Sequence, residues 1–335
     1  MTSLINRQVV LRRHPQGIPV AEDFDIESLP VTELPADHVR VRVDCISIDA
    51  FIRTTLDESG FHQRTRLGDP VVALGVGEVV ASESRQFAAG DWVFGPVRAQ
   101  SLATAPAAAF QRIEPTDAIP PSAFLGVLGL TTGLTAWVGM AHLAEPAAGE
   151  TVVVSGAAGA VGTCAGQIAK AAGARVVGVA GGATKCTSLT QTLGLDEAVD
   201  YKAGNLAEDL AAATPNGIDV FFDNVGGELL DLVLDRLNQN ARVIICGAIS
   251  QYDDLTNVRG PKLYLRIAER NSTMRGFTVD RYAEHFPQAT AELSALYLDG
   301  KLTLPEHVVS GIDQFPDALN TLLTGGHRGK MLVKP

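Results

Sequence analysis

Hydrophobic positions along the chain fall into two regimes. Over the first 120 residues they come in short runs interleaved with polar ones. The clearest is His38-Val39-Arg40-Val41-Arg42-Val43, apolar at every second position, as in a strand with one buried face. Residues 8–11, 71–81 and 90–95 read as further strands. Gly75 and Gly77 inside the 71–81 run mark kinks or close backbone approaches. No long helical period intervenes, so this stretch is predicted to be a β-rich domain.

Near residue 121 the pattern changes. Pro120-Pro121 breaks the chain, and Ser122 is placed to cap a helix running to about Met140. Strands over 151–155, 175–180, 198–201, 219–223 and 242–246 then alternate with helices over 160–172, 184–193, 206–214 and 229–237. Strands that are apolar throughout and separated by helices predict a parallel sheet covered on both faces. A helix is expected over 282–300, and short strands from 305 to the end, the last at 330–333. The α/β pattern divides the chain into residues 1–123, completed by 301–335, and residues 124–300. A length of 335 residues suits two domains.

With 46% hydrophobic and 19% charged residues, the chain is not disordered. No apolar run reaches the roughly 18 residues of a membrane span. Residues 1–20 hold Arg7, Arg12, Arg13 and His14 but no apolar stretch, unlike a signal peptide. A net charge of −11 argues against nucleic acid as a partner. Cys45, Cys164, Cys186 and Cys246 lie far apart without C-x-x-C spacing. Free thiols in a reducing cytoplasm are the simplest reading.

Candidate chemistry concentrates after the apolar run at 151–155. Gly156, Gly159 and Gly162 form a G-x-x-G-x-x-G turn between a predicted strand and helix, the context of a dinucleotide fingerprint. Gly159 lets the backbone approach a pyrophosphate, and Gly162 lets the helix pack on its strand. The helix N-terminus supplies N–H groups and positive dipole for phosphate. An NAD site usually ends its second strand with an acid for the ribose hydroxyl. Here that strand runs into Gly181-Gly182-Ala183-Thr184-Lys185, so NADP(H) is favoured. The segments starting at Phe222 and Ile245 lie at two further strand ends, where open α/β sheets bind ligands.

A nicotinamide brings its own hydride, leaving the protein to orient the acceptor and stabilise negative charge on oxygen. Among the tyrosines, Tyr252 ranks first because it follows a strand-end loop, with Tyr264 and Tyr282 next. No G-x-S-x-G elbow and no H-E-x-x-H motif occurs, and the seven histidines are scattered. No converging set of metal ligands can be assembled, so no metal is expected. Asp49 and Arg53 serve either the substrate or a salt-linked loop.

Ala157-Ala-Gly-Ala-Val-Gly-Thr163, Gly166-Gln-Ile-Ala-Lys170, Phe222-Asp-Asn-Val-Gly-Gly-Glu228, Ile245-Cys-Gly-Ala-Ile-Ser250 and Gly329-Lys330 carry a family resemblance over nearly the whole chain. The sequence resembles the zinc-independent branch of the medium-chain dehydrogenase/reductases, among prostaglandin reductases (leukotriene B4 12-hydroxydehydrogenases), plant double-bond reductases and curcumin-reductase-like enzymes. That resemblance implies a GroES-like β-rich catalytic domain, a Rossmann domain and a homodimer. It implies NADPH-dependent reduction of the double bond of enones or enals, with hydride to the β-carbon and protonation of the enolate. By position it puts Gly159, Ala160, Val161 and Gly162 on the pyrophosphate, and Lys185 and Tyr201 on the 2′-phosphate. Asn224, Cys246, Gly247, Ala248, Ile249, Ser250, Tyr252, Phe277, Thr278 and Val279 fall on the nicotinamide side. His327 replaces the asparagine that relatives carry before the terminal Gly-Lys. Phe51 stands where relatives often have a substrate-side tyrosine, so substrate choice does not carry over. The alternatives are an NADPH:quinone oxidoreductase, a reductase dedicated to one natural-product intermediate, and a non-enzymatic NADPH-binding protein.

Overall fold

The alternating run that opens at His38 extends into an eleven-residue strand, His38–Ile48, on which the first unit is assembled. The computed structural model describes residues 4–58 and 62–335. They divide into two units: the described residues up to Leu125 with Glu306–Pro335, and Gly126–Pro305.

In the first unit, His38–Ile48 pairs antiparallel with Gly75–Ser82 along one edge. Along the other it pairs with Leu102–Pro106 and Lys330–Lys334. Glycine makes the first pairing possible. A Cβ at Gly77 would stand 2.2 Å from the Arg42 carbonyl oxygen, and one at Gly75 2.6 Å from that of Cys45. The strand predicted over 71–81 therefore begins only at Gly75. Val71 and Ala73 bond instead to Val9, Arg98 and Ala99. Trp92–Gly95, Gln111–Arg112 and Glu306–Ser310 complete a seven-stranded sheet. Cys45, Val76, Leu125 and Leu332 form a buried cluster on it.

Two elements of this unit escape the hydrophobic pattern. Phe24–Pro30 pairs with Ile5–Leu11 as a separate two-stranded ribbon, held by its register with the neighbour. Phe315–Leu323, in the tail expected to hold only strands, is a helix. Its apolar residues 315, 318, 319 and 322 have helical spacing and Pro316 sits in its first turn, but nine residues barely show a period.

In the second unit six strands lie parallel. Their spatial order is Glu197–Asp200, Arg175–Ala180, Thr151–Ser155, Ile218–Asp223, Leu237–Ile245 and Thr273–Gly276. The chain winds outward from Thr151–Ser155 in one direction, then from Ile218–Asp223 in the other. This reversal defines a doubly wound sheet. Val153, Val177, Phe221, Leu234 and Val243 are buried in its core. Each such side chain contributes about 1.5–3 kcal/mol by leaving water. The edge strand Thr273–Gly276 has no apolar run to announce it and exists through its pairing with Leu237–Ile245.

The helix predicted from Ser122 starts only at Leu130. Pro121–Phe124 is a short 3-10 turn, and Gly129 is extended (φ −76°, ψ 143°). A Cβ at Gly133 would lie 1.8 Å from the Val127 carbonyl oxygen, so residues 126–129 fold back onto the first turn of the helix. The helix continues to Ala144 with wide π turns, shown by the bonds from Leu134 N–H to Gly129 and from Glu145 N–H to Met140.

Lys330 has no exposed surface and donates to Asp49 Oδ1 at 2.6 Å, while the Ser47 hydroxyl donates to Oδ2. Asp49→Ala leaves the Lys330 ammonium buried without its counter-charge. Urea denaturation is expected to show a loss of about 3–5 kcal/mol. A loss no larger than the roughly 0–1 kcal/mol of an exposed pair would show the bridge to be dispensable.

Candidate active site

The turn that leaves Thr151–Ser155 uses its glycines in different ways. Gly156 adopts φ +59°. A Cβ on Gly162 would fall 2.3 Å from the Gly156 carbonyl oxygen and 2.8 Å from Ala157 Cα, so the helix can start hard against the turn. Gly159 is the extended N-cap of Ala160–Ala171 and places no side chain over the helix end. The N–H groups of Ala160, Val161 and Gly162 occupy the first turn, where no intrahelical carbonyl reaches them. Together with the helix dipole they make a cradle for phosphate.

The second strand, Arg175–Ala180, ends at Gly181-Gly182. A Cβ on Gly181 would sit 2.7 Å from the Tyr201 ring, so the ring lies against bare backbone with half its surface exposed. The Lys202 ammonium stands 5.8 Å from that ring centre. Lys185 lies in the first turn of the helix Ala183–Gln191. The acid at the end of the third strand, Asp200, is occupied: its Oδ1 accepts the N–H groups of Gly182 at 2.7 Å and Lys202 at 2.9 Å. Lysine, tyrosine and a backbone-tied acid suit a phosphorylated ribose better than a free hydroxyl.

Between the first and fourth strands, where the winding reverses, lies a buried node. Asp223 has no exposed surface. Its Oδ1 accepts the Ser155 hydroxyl at 2.8 Å and the N–H groups of Val225 and Gly226, each at 2.9 Å. Its carbonyl accepts Cys246 N–H at 2.8 Å and Gly247 N–H at 3.1 Å. Asn224 returns the tie, donating from its side chain to the Ser155 carbonyl and from its backbone to the Ser155 hydroxyl, both at 2.7 Å. Three strand-end loops are thus held by one residue pair. Burial pushes the Asp223 carboxyl above the ordinary carboxylate range, against the lowering effect of its hydrogen bonds. Ser155, Asp200 and Asp223 are not among the site residues expected from the sequence. Their signal is a polar residue ending an otherwise apolar strand.

Tyr252 belongs to this node. Its hydroxyl accepts Ala248 N–H at 3.2 Å, and a Cβ on Gly247 would touch it at 3.0 Å. Burial raises the tyrosine further, and Cys246 and Asp223 add to the effect. Desolvation, helped by Asp223, pushes the Cys246 thiol up to about 12. Ser250 ties the loop back by donating to the Val225 carbonyl at 2.6 Å. Tyr264 is exposed just ahead of the short helix Leu265–Glu269. Tyr282 accepts Arg275 Nη2 at 2.9 Å, beside the rings of His142 and Phe277. Phe277 also packs where a Cβ on Gly139 would meet it at 3.0 Å; Thr278 and Val279 follow it in the chain.

The other sequence candidates lie in the first unit. Asp49 is paired with Lys330. Arg53, 2% exposed, donates to Asp57 at 2.6 Å and to the Gly17 carbonyl at 2.9 Å. The Phe51 ring centre lies 5.4 Å from that of His62. His327 is half-buried in the turn before Lys330–Lys334.

Residues 7–113 match the family model for the N-terminal domain of oxidoreductases, and residues 160–295 match that of zinc-binding dehydrogenases. The chain is 40% identical to a putative NADP-dependent oxidoreductase of Bacillus subtilis, over 98% of this chain and 97% of the relative. It is 34% identical to the NADPH-dependent curcumin reductase of Escherichia coli, over 98% and 96%, and to a 2-alkenal reductase (NADP(+)-dependent) of Nicotiana tabacum, over 98% and 97%. The crystal structure of CurA from Vibrio vulnificus in complex with NADPH superimposes with a TM-score of 0.92 at 35% identity, covering 98% of each chain. The chain belongs to the medium-chain dehydrogenase/reductases. Within them it falls in the zinc-independent branch of the curcumin, alkenal and prostaglandin reductases. The fold is the α/β, two-domain fold of this family, a GroES-like β-rich domain with a Rossmann domain. Among the described residues, no group of three or more His, Cys, Asp or Glu side chains is placed to hold a metal ion. No helix of the described residues is long and apolar enough to cross a membrane.

Proposed function

We propose that this chain, an NADP(H)-dependent oxidoreductase, reduces the carbon–carbon double bond of α,β-unsaturated ketones and aldehydes. One observation carries the reading: relatives matched over nearly their whole length are named as reductases of curcumin and of 2-alkenals, and this chain's own phosphate cradle and Gly181 corner suit a phosphorylated dinucleotide.

Bound NADPH supplies the hydride. The first-turn N–H groups of Ala160, Val161 and Gly162 hold the pyrophosphate, and Lys185 and Tyr201 hold the 2′-phosphate. Asn224, the loop from Cys246 to Ser250, and Phe277, Thr278 and Val279 border the nicotinamide half and keep the acceptor flat against it. Tyr252 stays protonated through the neutral range because its surroundings disfavour the phenolate. In that form its hydroxyl donates to the carbonyl oxygen of the acceptor as negative charge gathers there. Tyr282, already held by Arg275, and the exposed Tyr264 rank behind it.

We also propose a cytoplasmic homodimer. The strand Thr273–Gly276 sits at the sheet edge with one paired neighbour, leaving backbone donors and acceptors for a second copy. No disulfide joins the four cysteines, as in a reducing compartment. Light scattering on the purified chain is expected to give twice the 35.3 kDa chain mass; a single-chain mass overturns the dimer.

With NADPH and a panel of enones and enals, loss of reduced-nicotinamide absorbance is expected, with the saturated carbonyl compound as product by mass spectrometry. Turnover of quinones alone, or of no acceptor, overturns the reading. Lys185→Ala is expected to lower kcat/KM for NADPH by about 10–100-fold, the worth of a charge-assisted hydrogen bond, and to leave that for NADH nearly unchanged. Equal losses with both nucleotides would remove Lys185 from the 2′-phosphate.

A further inference from the structure

Asp223 holds an oxygen that the node does not use. Oδ1 takes three donors, the arrangement of an ionised carboxylate, but Oδ2 is buried without a hydrogen-bond partner. Among the described residues no cationic side chain pairs with Asp223. The titratable groups facing it are Cys246 and Tyr252, both pushed toward their neutral forms. A buried charge with half its oxygens unsatisfied is costly unless something else compensates it.

Its position suggests what compensates it. A doubly wound sheet binds a dinucleotide across the winding reversal, one mononucleotide on each half. The turn at Gly181 and Tyr201 occupies the half reached from Thr151–Ser155, which leaves the nicotinamide to the half that begins with Ile218–Asp223. When a hydride, two electrons with one proton, passes to the β-carbon of the acceptor, the ring gains one positive charge. The electron pair of the broken double bond moves to the acceptor oxygen, and solvent later supplies a proton to the α-carbon. A fixed negative charge beneath that half stabilises the cationic ring and gives nothing to the neutral one.

We propose that Asp223 is a buried counter-charge for the oxidised nicotinamide, so that the site prefers NADP+ to NADPH more than the same site without the carboxylate, and hydride departure is favoured. This rests on the function proposed above. It treats Asp223 as a positioning and electrostatic residue, not as one that touches the acceptor.

The test is the ratio of the dissociation constants of NADP+ and NADPH, measured by calorimetry without any acceptor. Asp223→Asn keeps an oxygen for the three Oδ1 donors and removes the charge. The ratio is expected to rise about tenfold, the size of a unit-charge interaction across roughly 12 Å at an effective dielectric near 20. An unchanged ratio, with both nucleotides weakened equally, reduces Asp223 to a structural clamp and overturns the proposal. Binding of neither nucleotide to the unmodified chain overturns the functional reading along with it. If the variant does not fold, the ratio is followed in the unmodified chain from about pH 8 down to about pH 5. Burial raises the Asp223 carboxyl, so the ratio is expected to climb as falling pH protonates it. The 2′-phosphate titrates in both nucleotides and cancels. A flat ratio overturns the proposal.

Discussion

The second unit is organised around one hydrogen-bonded pair, Ser155 with Asp223, at the place where the sheet reverses its winding. Each residue follows a run of apolar, buried residues at the end of its strand, so each carries its polar group into a dry place. Joined, they satisfy each other and fix the loops that follow. Asn224, Cys246 and Gly247 bond to the same two residues, and Ile249 and Ser250 bond to Asn224 and Val225. Bonds from Ile249 and Ser250 to the 224–227 loop, and from Asn224 to the Ser155 carbonyl, add to the pair in joining the glycine turn, the 224–227 loop and the 246–252 loop. Together they form one rigid rim at the carboxyl ends of the strands.

The first unit solves a similar problem with a charge pair. Lys330 in the last strand reaches Asp49 beyond the end of His38–Ile48, so the tail of the chain, which supplies Glu306–Ser310 and Lys330–Lys334, is tied into a sheet whose other five strands come from residues before 113. Glycines 75 and 77 set how closely Gly75–Ser82 approaches that strand. Their role is steric and local, and the composition of the 71–81 run announced it.

Much of the second unit was legible because its strands are apolar on both faces and its turns are glycine-rich. The strand at Arg175–Ala180, the helix from Ala160 and the loops at 224 and 246 fall within a residue or two of the pattern. What was hidden has physical reasons. The strand Thr273–Gly276 is made by its neighbour's backbone and not by its own side chains. The start of the helix at Leu130 is decided by contact between Gly133 and Val127, which no local period records. At the candidate site, Lys185 is proposed from the strand-end sequence and Tyr201 from the family likeness. Asp200 and Asp223 could not be named in either way, because their roles are hydrogen bonds to loops distant in sequence.

The same burial that keeps Tyr252 protonated also governs sulfur. Cys45 and Cys246 are pushed up to about 12, and Cys186 is raised as well, each chiefly by desolvation. Only the thiolate attacks electrophilic carbon with useful speed. A conjugated aldehyde, the acceptor class of the proposed function, is such an electrophile, and under that proposal Cys246 stands on the rim that receives it. Held as a neutral thiol beside a buried carboxylate, that sulfur is a poor nucleophile, and the rim is spared alkylation by reactive compounds brought close to it.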